Sequence, residues 1–456
     1  MKNLTEGNIY KTFILFAIPL ILSAILSQAY NTIDAIIAGK FLGADGLAAT
    51  GATSSYIEFI SFGFFGFVSG FSIYIAMLFG AQDYYRLKVT LISNLALVCS
   101  ISILISILSV IFKDTIFDFL CIDPSIREDA SIYFVIMILG MVFTILNVFG
   151  LFTINALGMS EFPFRMSIIS TVINITGNLL SVTVFNLGVM GLALSSIFSC
   201  LVVNIFYFIK IKKCFDEMPS HSIGFVFSPA SIKRSISFSL PTAFQQMMMY
   251  TSSLLLSPIV NGIGSSATAA YSVVLKIYNI NAGVYQNSSK SLSNYTAQCV
   301  GAGKYKLIKK GLFVGLVQGV LFVLPFLVVC VAFSDIICKA FFPGDYSGDA
   351  LSFAVVFVKF FLPFVLFNLL NNLFHAFFRS LKCMGILIIS TVVGSISRII
   401  ASIILSKYYG IYGIWAGWAI SWIVEAIFAF VIYASGVWKK SLKRNISLPN
   451  GKEIEL

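Results

Sequence analysis

Apolar stretches long enough to cross a bilayer as a helix, about 20 residues each, follow one another along the whole chain. Twelve fit, the first over 12–38 and the last over 412–437, and the short loops between them hold most of the glycine, proline and charge. With 58% hydrophobic and 11% charged residues and a mean hydropathy of +0.95, the chain is far from a soluble domain, of which roughly a quarter is charged. The fold class expected is an all-α polytopic membrane protein of twelve transmembrane helices.

Basic residues collect on the cytoplasmic side of such proteins. With both termini placed inside, the inner loops and ends carry 21 Lys and Arg and the outer loops 5, while Lys276, Lys290, Lys359 and Arg398 fall inside spans. The net charge of +11 therefore reflects topology, and no nucleic-acid partner is implied. Short loops point to a bacterial plasma membrane. The eight cysteines contain no CxxC pair, and Cys121 and Cys338, the two in outer loops, are expected to stay unpaired. An enzyme is not expected: there is no HExxH, and the only histidines are His221 and His375. QCVGAGKY at Gln298 lacks the first Gly and final Ser or Thr of a phosphate loop, so no nucleotide or other cofactor is expected.

The chain reads as a duplication. FAIPLILSAILSQAYNTIDAIIAGKFLGADGLAA from Phe16 lies over FSLPTAFQQMMMYTSSLLLSPIVNGIGSSATAA from Phe238, with Pro19 on Pro241. At an offset of 221 residues FGAQDYYRLK from Phe79 falls on VGAGKYKLIK from Val300, and at 222 GVMG from Gly188 falls on GIYG from Gly410. Two pseudo-symmetric six-helix bundles are expected, 1–220 and 221–456. Six spans per unit give both copies the same orientation, an arrangement found in transporters that work by rocking two similar bundles about a central cleft. Pro19 and Pro241, at matching places in the first helix of each bundle, are potential kinks.

Of nineteen acidic residues only Asp34, Glu58 and Glu425 lie deep within spans. A carboxylate at a helix centre costs about 2.5 to 3.5 kcal/mol to insert, so each is a functional candidate by default. Glu425 on span 12 has a structural alternative, a pair with Arg398 on span 11. Glu58 either faces the cleft or pairs with a lysine. Asp34 has Tyr30 one helical turn before it on the same face, and is the candidate to bind and release a proton or a cation. On span 8, Lys276, Asn279, Gly283, Gln286 and Lys290 form one polar stripe, expected to face the cleft. Gln245, Gln246, Tyr250 and the run Met247 to Met249 on span 7 add amides, an aromatic ring and adaptable thioethers, suited to an amphipathic small molecule.

PLILSAILSQAYNTIDAIIAGKFLGADGLAATG, with the acid at Asp34, resembles the first-helix signature of the multidrug and toxic compound extrusion (MATE) transporters, and SLPTAFQQ, VNGIGSSATAAYSVVLKI and AQCVGAGK resemble the start of that family's second half. The resemblance implies that Asp34 works with an amide on the fifth helix, a polar residue four positions on, and a hydroxyl on the sixth. Here these are Asn174, Asn178 and Ser196. Asn178 stands where some members carry Asp, which removes one negative charge from the site; a single carboxylate with amide and hydroxyl oxygens still suits a hard cation, so the coupling ion is H+ or Na+, with no metal beyond a possible Na+ at Asp34. Acids that members place on the seventh or tenth helix are matched here by Gln245, Gln246 or Asn368, which concentrates coupling on Asp34. The expected activity is exchange of H+ or Na+ for an organic, amphipathic or cationic compound by a monomer in the lipid bilayer. The alternative is a flippase for lipid-linked sugars, or an exporter of an anionic metabolite, on a similar fold.

Overall fold

The computed structural model describes residues 1–219, 226–342 and 348–445. The long helical segments, in chain order, begin with α1 (Ile9–Phe41), α2 (Gly43–Gly80), α3 (Tyr84–Ile111) and α4, whose arms Pro124–Leu139 and Met141–Ala156 meet at a 44° bend. Then come α5 (Glu161–Thr183), α6 (Gly188–Glu217), α7 (Pro229–Ile263) and α8 (Ser265–Gly301). The last are α9 (Lys306–Ala332), α10 (Asp349–Ser380), α11 (Met384–Tyr409) and α12 (Ile411–Ala434). Among the described residues nine of these are long and apolar enough to span a membrane, and ten with the bent α4. The other two, α7 and α8, have the length but carry the amides, hydroxyls and lysines that drew attention in the sequence.

The helices are apolar outside and polar within. On α3, Ile103, Leu104, Ile107, Leu108 and Ile111 are exposed while Ser102, Ser106 and Ser109 are buried. Lipid tails are as apolar as leucine, so helices gain nothing by burying leucine and associate instead through small residues and interhelical hydrogen bonds. Ser106 Oγ accordingly donates to the Ile138 carbonyl (2.7 Å), and Ser109 Oγ meets Tyr56 OH (2.9 Å). Both α1 and α7 run as helix past Pro19 and Pro241. In α10 a π-helical turn Phe357–Phe361 and a 3-10 turn Leu362–Phe364 accommodate Pro363, which cannot donate a backbone hydrogen bond.

The duplication survives in the corners. Gln82 after α2 and Gly303 after α8 have φ of 57° and 69°, and each stands in a helix-ending motif in which the next N–H reaches back five residues, Asp83 to Leu78 and Lys304 to Cys299. The corners before α5 and α11 repeat this with Gly158 (80°) and Lys382 (59°), Met159 bonding to Ile154 and Cys383 to Phe378. Gly188 and Gly410, opening α6 and α12, have φ of 57° and 56°.

The expected boundary between residues 220 and 221 lies outside the described residues. The contacts form two compact units: Met1–Asn3 with Ile25–Ala243, and Leu4–Ala24 with Phe244–Leu456. The first part of α7 thus belongs to unit 1, where Phe238 stacks on Tyr74 (5.9 Å) and Ser235 Oγ accepts from Asn94 Nδ2 (2.8 Å). The first part of α1 belongs to unit 2, where Phe13 packs on Tyr295 (4.8 Å) and its carbonyl accepts from Gln318 Nε2 (3.3 Å).

Candidate functional site

In unit 1, helices α1, α5 and α6 bring five polar side chains together. Glycine allows the approach of α5 and α6: a Cβ on Gly177 would sit 3.0 Å from Ser195 Oγ, and one on Gly191 would sit 2.6 Å from the Ser181 side chain. Ile37 and Ala38 of α1 pack with Val182 of α5 and Leu192 of α6, which fixes the face that α1 turns to them. On that face Asn178 Nδ2 donates to Asp34 Oδ1 (2.6 Å) and to Asn174 Oδ1 (2.8 Å). Asn174 Nδ2 donates to Ser196 Oγ (3.0 Å), and Ser196 Oγ meets Tyr30 OH (3.4 Å). Tyr30 lies one helical turn before Asp34 on α1, so its hydroxyl ties this face to Ser196. Asn174 and Asn178 are buried and Asp34 half-buried. Asn178 Oδ1 is left without a partner among the described residues. The donor set is one carboxylate with amide and hydroxyl oxygens, which suits a proton or a hard monovalent cation.

The remaining expected residues divide between surface and interior. Glu58 is on the exposed side of α2, and Tyr133 lies near enough to feel both its charge and that of Asp34. Lys276 and Asn279 are exposed, and Gly283, Gln286 and Lys290 half-buried, on the least buried side of α8, so the polar stripe is one face as its spacing predicted. Lys276 Nζ lies 5.8 Å from the Phe341 ring centre, and Lys290 Nζ donates to Asn287 Oδ1 (3.0 Å). Gln246 and Tyr250 are half-buried. Gln245 and Asn368, expected on the substrate-facing surface, are instead buried inside unit 2. An amide in a membrane interior must find partners. Asn368 Nδ2 finds Tyr278 OH (3.0 Å) and Tyr285 OH (2.9 Å), and Gln245 Nε2 finds His375 Nδ1 (2.8 Å).

Glu425 and Arg398 form no direct pair among the described residues: Glu425 Oε1 lies 3.3 Å from His375 Nε2, and Glu425 Oε2 accepts from Asn371 Nδ2 (3.2 Å). Arg398 stacks 4.4 Å from the Trp418 ring centre and donates to Ser252 and Ser253 Oγ (3.4 and 3.5 Å). Lys359 pairs with Asp335 at 2.8 Å. Sequence reasoning passed over His375 as one of two histidines that made no motif. The available signal was that Asn368, Asn371, Asn372 and His375 recur at helical spacing on one side of α10.

Among the described residues the chain is a two-unit, all-helical membrane fold whose first helix carries a hydrogen-bonded carboxylate. The chain belongs to the MatE family, whose profile matches it twice, over residues 19–180 and 241–404, starting at Pro19 and again at Pro241. It is 25% identical over 337 residues to the probable multidrug resistance protein YoeA of Bacillus subtilis, covering 70% of this chain and 72% of that one. It is 22% identical over 276 residues to the multidrug export protein MepA of Staphylococcus saprophyticus, 60% of each chain. Among solved structures, a transporter of the MOP superfamily from Pyrococcus furiosus overlays with a TM-score of 0.89 at 18% identity, covering 97% and 99% of the two chains. A mutant form of the Vibrio cholerae MATE transporter VcmN overlays with 0.89 at 15% identity, covering 95% and 98%.

Proposed function

We propose that this protein is a secondary active exporter of the bacterial plasma membrane, with both termini in the cytoplasm, which exchanges H+ or Na+ bound at Asp34 for a small organic, amphipathic or cationic compound. The observation that carries the reading is the convergence of Tyr30, Asp34, Asn174, Asn178 and Ser196 in one hydrogen-bonded cluster. A carboxylate held by neutral donors, with no basic side chain paired to it among the described residues, keeps its charge available to an arriving proton or ion. The unpartnered Asn178 Oδ1 offers one more ligand. Multidrug export, which the names of YoeA and MepA state for those proteins, is the matching activity. Exchange requires that ion and substrate favour opposite conformations, since a ligand that binds both states equally moves neither. Lys276 and Lys290 on the α8 stripe would repel a purely cationic compound, which favours one that also carries apolar or anionic groups.

The test is reconstitution of wild type and Asp34→Asn in liposomes under a pH gradient or a sodium gradient, following efflux of a fluorescent organic cation. Transport by wild type under one gradient, and its loss in Asp34→Asn, is the expected result and names the ion. Equal transport by the two proteins would make Asp34 structural and overturn the mechanism.

A further inference from the structure

The interior of unit 2 holds a second ionisable centre that the exchange at Asp34 does not use. Five helices, α7, α8, α10, α11 and α12, wall a cavity of about 40 Å³ whose lining includes Tyr278, Asn371, His375, Arg398, Trp422 and Glu425. It is large enough for a few waters. His375 lies at the end of a chain of polar groups: Gln245 Nε2 is 2.8 Å from its Nδ1, while Ser390 Oγ (3.0 Å) and Glu425 Oε1 (3.3 Å) lie at its Nε2. So placed, the Gln245 amide donates to Nδ1, and the hydrogen of a neutral ring sits on Nε2, facing Ser390 and Glu425. The Gln245 carbonyl Oε1 is buried with no partner among the described residues. A half-turn of that amide would bring Oε1 to Nδ1 and give the ring an acceptor on both nitrogens, the requirement of an imidazolium. The surroundings thus satisfy the ring with one hydrogen or with two, and a single amide rotation separates the states.

We propose that Gln245, His375 and Glu425 form a reversible proton-binding site in unit 2, with His375 and Glu425 lining the cavity through which the proton arrives. The unloaded site has a neutral imidazole and an ionised carboxylate; one proton added from water brings the pair to zero net charge and belongs to the pair jointly. Arg398 faces the same cavity from α11 and offsets the unloaded carboxylate without touching it. The other charged or titratable groups near the pair are Arg379 on α10 and Tyr278 on α8. α7 contributes the neutral Gln245, Met249 and Ser252. Gly394 of α11 makes the room: a Cβ there would lie 2.7 Å from the Glu425 carboxyl carbon. If the Asp34 exchange operates as proposed, this site adds a second proton to the cycle; the site itself does not depend on that reading.

Protonation is read directly on the full chain in lipid nanodiscs. His221→Gln leaves His375 as the sole histidine, and its ring is labelled with nitrogen-15 and followed by NMR from about pH 8 to about pH 5, the range in which histidine ordinarily changes charge. Carboxyl infrared difference spectra are recorded over the same range, with Glu425→Gln identifying the band of Glu425. The expected result is one proton taken up by the pair, seen on the ring or on the carboxyl, absent over that range in Glu425→Gln and retained when Asp34→Asn is added. If Glu425→Gln does not fold, Gly394→Ala, which displaces the carboxyl without removing it, is expected to shift the response by about one pH unit or more. A ring and a carboxyl that stay unchanged from pH 8 to pH 5, or a response indifferent to both substitutions, would overturn the proposal. Since the readout is protonation, transport surviving in Asp34→Asn would sink the exchange mechanism and leave this result standing.

Discussion

At the scale of the residue, the decisive group beside Asp34 is an amide. The NH2 of Asn178 bridges Asp34 Oδ1 and Asn174 Oδ1 and so holds together two oxygens that a cation could otherwise bridge. Asn178→Asp removes that bridge and adds a second carboxylate, so a monovalent cation should bind about tenfold more tightly, worth about 1.4 kcal/mol. The check is efflux from proteoliposomes at fixed pH with and without a sodium gradient; stimulation by sodium is expected to be several-fold greater in Asn178→Asp than in wild type. Asp34 and Tyr30 were legible because both lie on one helix face, a matter of counting four residues. Asn174, Asn178 and Ser196 were legible only through the family resemblance, since no spacing joins α1 to helices more than a hundred residues away. His375 was not legible as a partner of Glu425, because the fifty residues between them say nothing about which helices touch. Gln245 and Gln246 are adjacent, and on a helix polar at both positions the sequence does not tell which one turns inward.

At the scale of the element, α11 and α12 show what draws membrane helices together. Gly413 and Gly417 lie one turn apart on α12 and face the α11 backbone: a Cβ on Gly417 would come within 2.7 Å of the Ser402 amide nitrogen, and Gly413 lies against the Leu405 carbonyl. Small residues at this spacing let two backbones approach in lipid. Gly417→Val should therefore force the pair apart at a cost of about 1 to 3 kcal/mol, read as a lower unfolding temperature of the purified protein in detergent. The helices were the most readable part of the sequence, since length and apolarity suffice for most of them. α7 and α8 were counted with the rest as apolar stretches, yet their amides, hydroxyls and lysines leave them out of the nine helices apolar enough to span by composition. The short π and 3-10 turns around Pro363 were not foreseen, and Pro19 lies inside α1.

At the scale of the whole molecule, sequence halves and compact units do not coincide. Residues 229–243 complete unit 1 although they follow the linker, and residues 4–24 complete unit 2 although they open the chain. Neither half is thus a self-sufficient folding unit. When the chain is divided within 220–225, each half expressed alone is expected to be lost from the membrane fraction, while the two expressed together are expected to copurify and to restore dye efflux. Recovery of a folded 1–219 fragment by itself, judged by a single symmetric peak on size exclusion, would contradict this.

The matched corners have a further consequence. A left-handed backbone is easy for glycine and costs other residues about 1 to 2 kcal/mol, yet glycine holds the position after α8 and before α5, while Gln82 and Lys382 hold the corresponding places in the other half. Each half lacks the glycine at a different corner, and the left-handed bend is present at both. The kinship of the two halves is thus plainer in the path of the main chain than in its letters, since matched corners keep one torsion angle while their side chains differ.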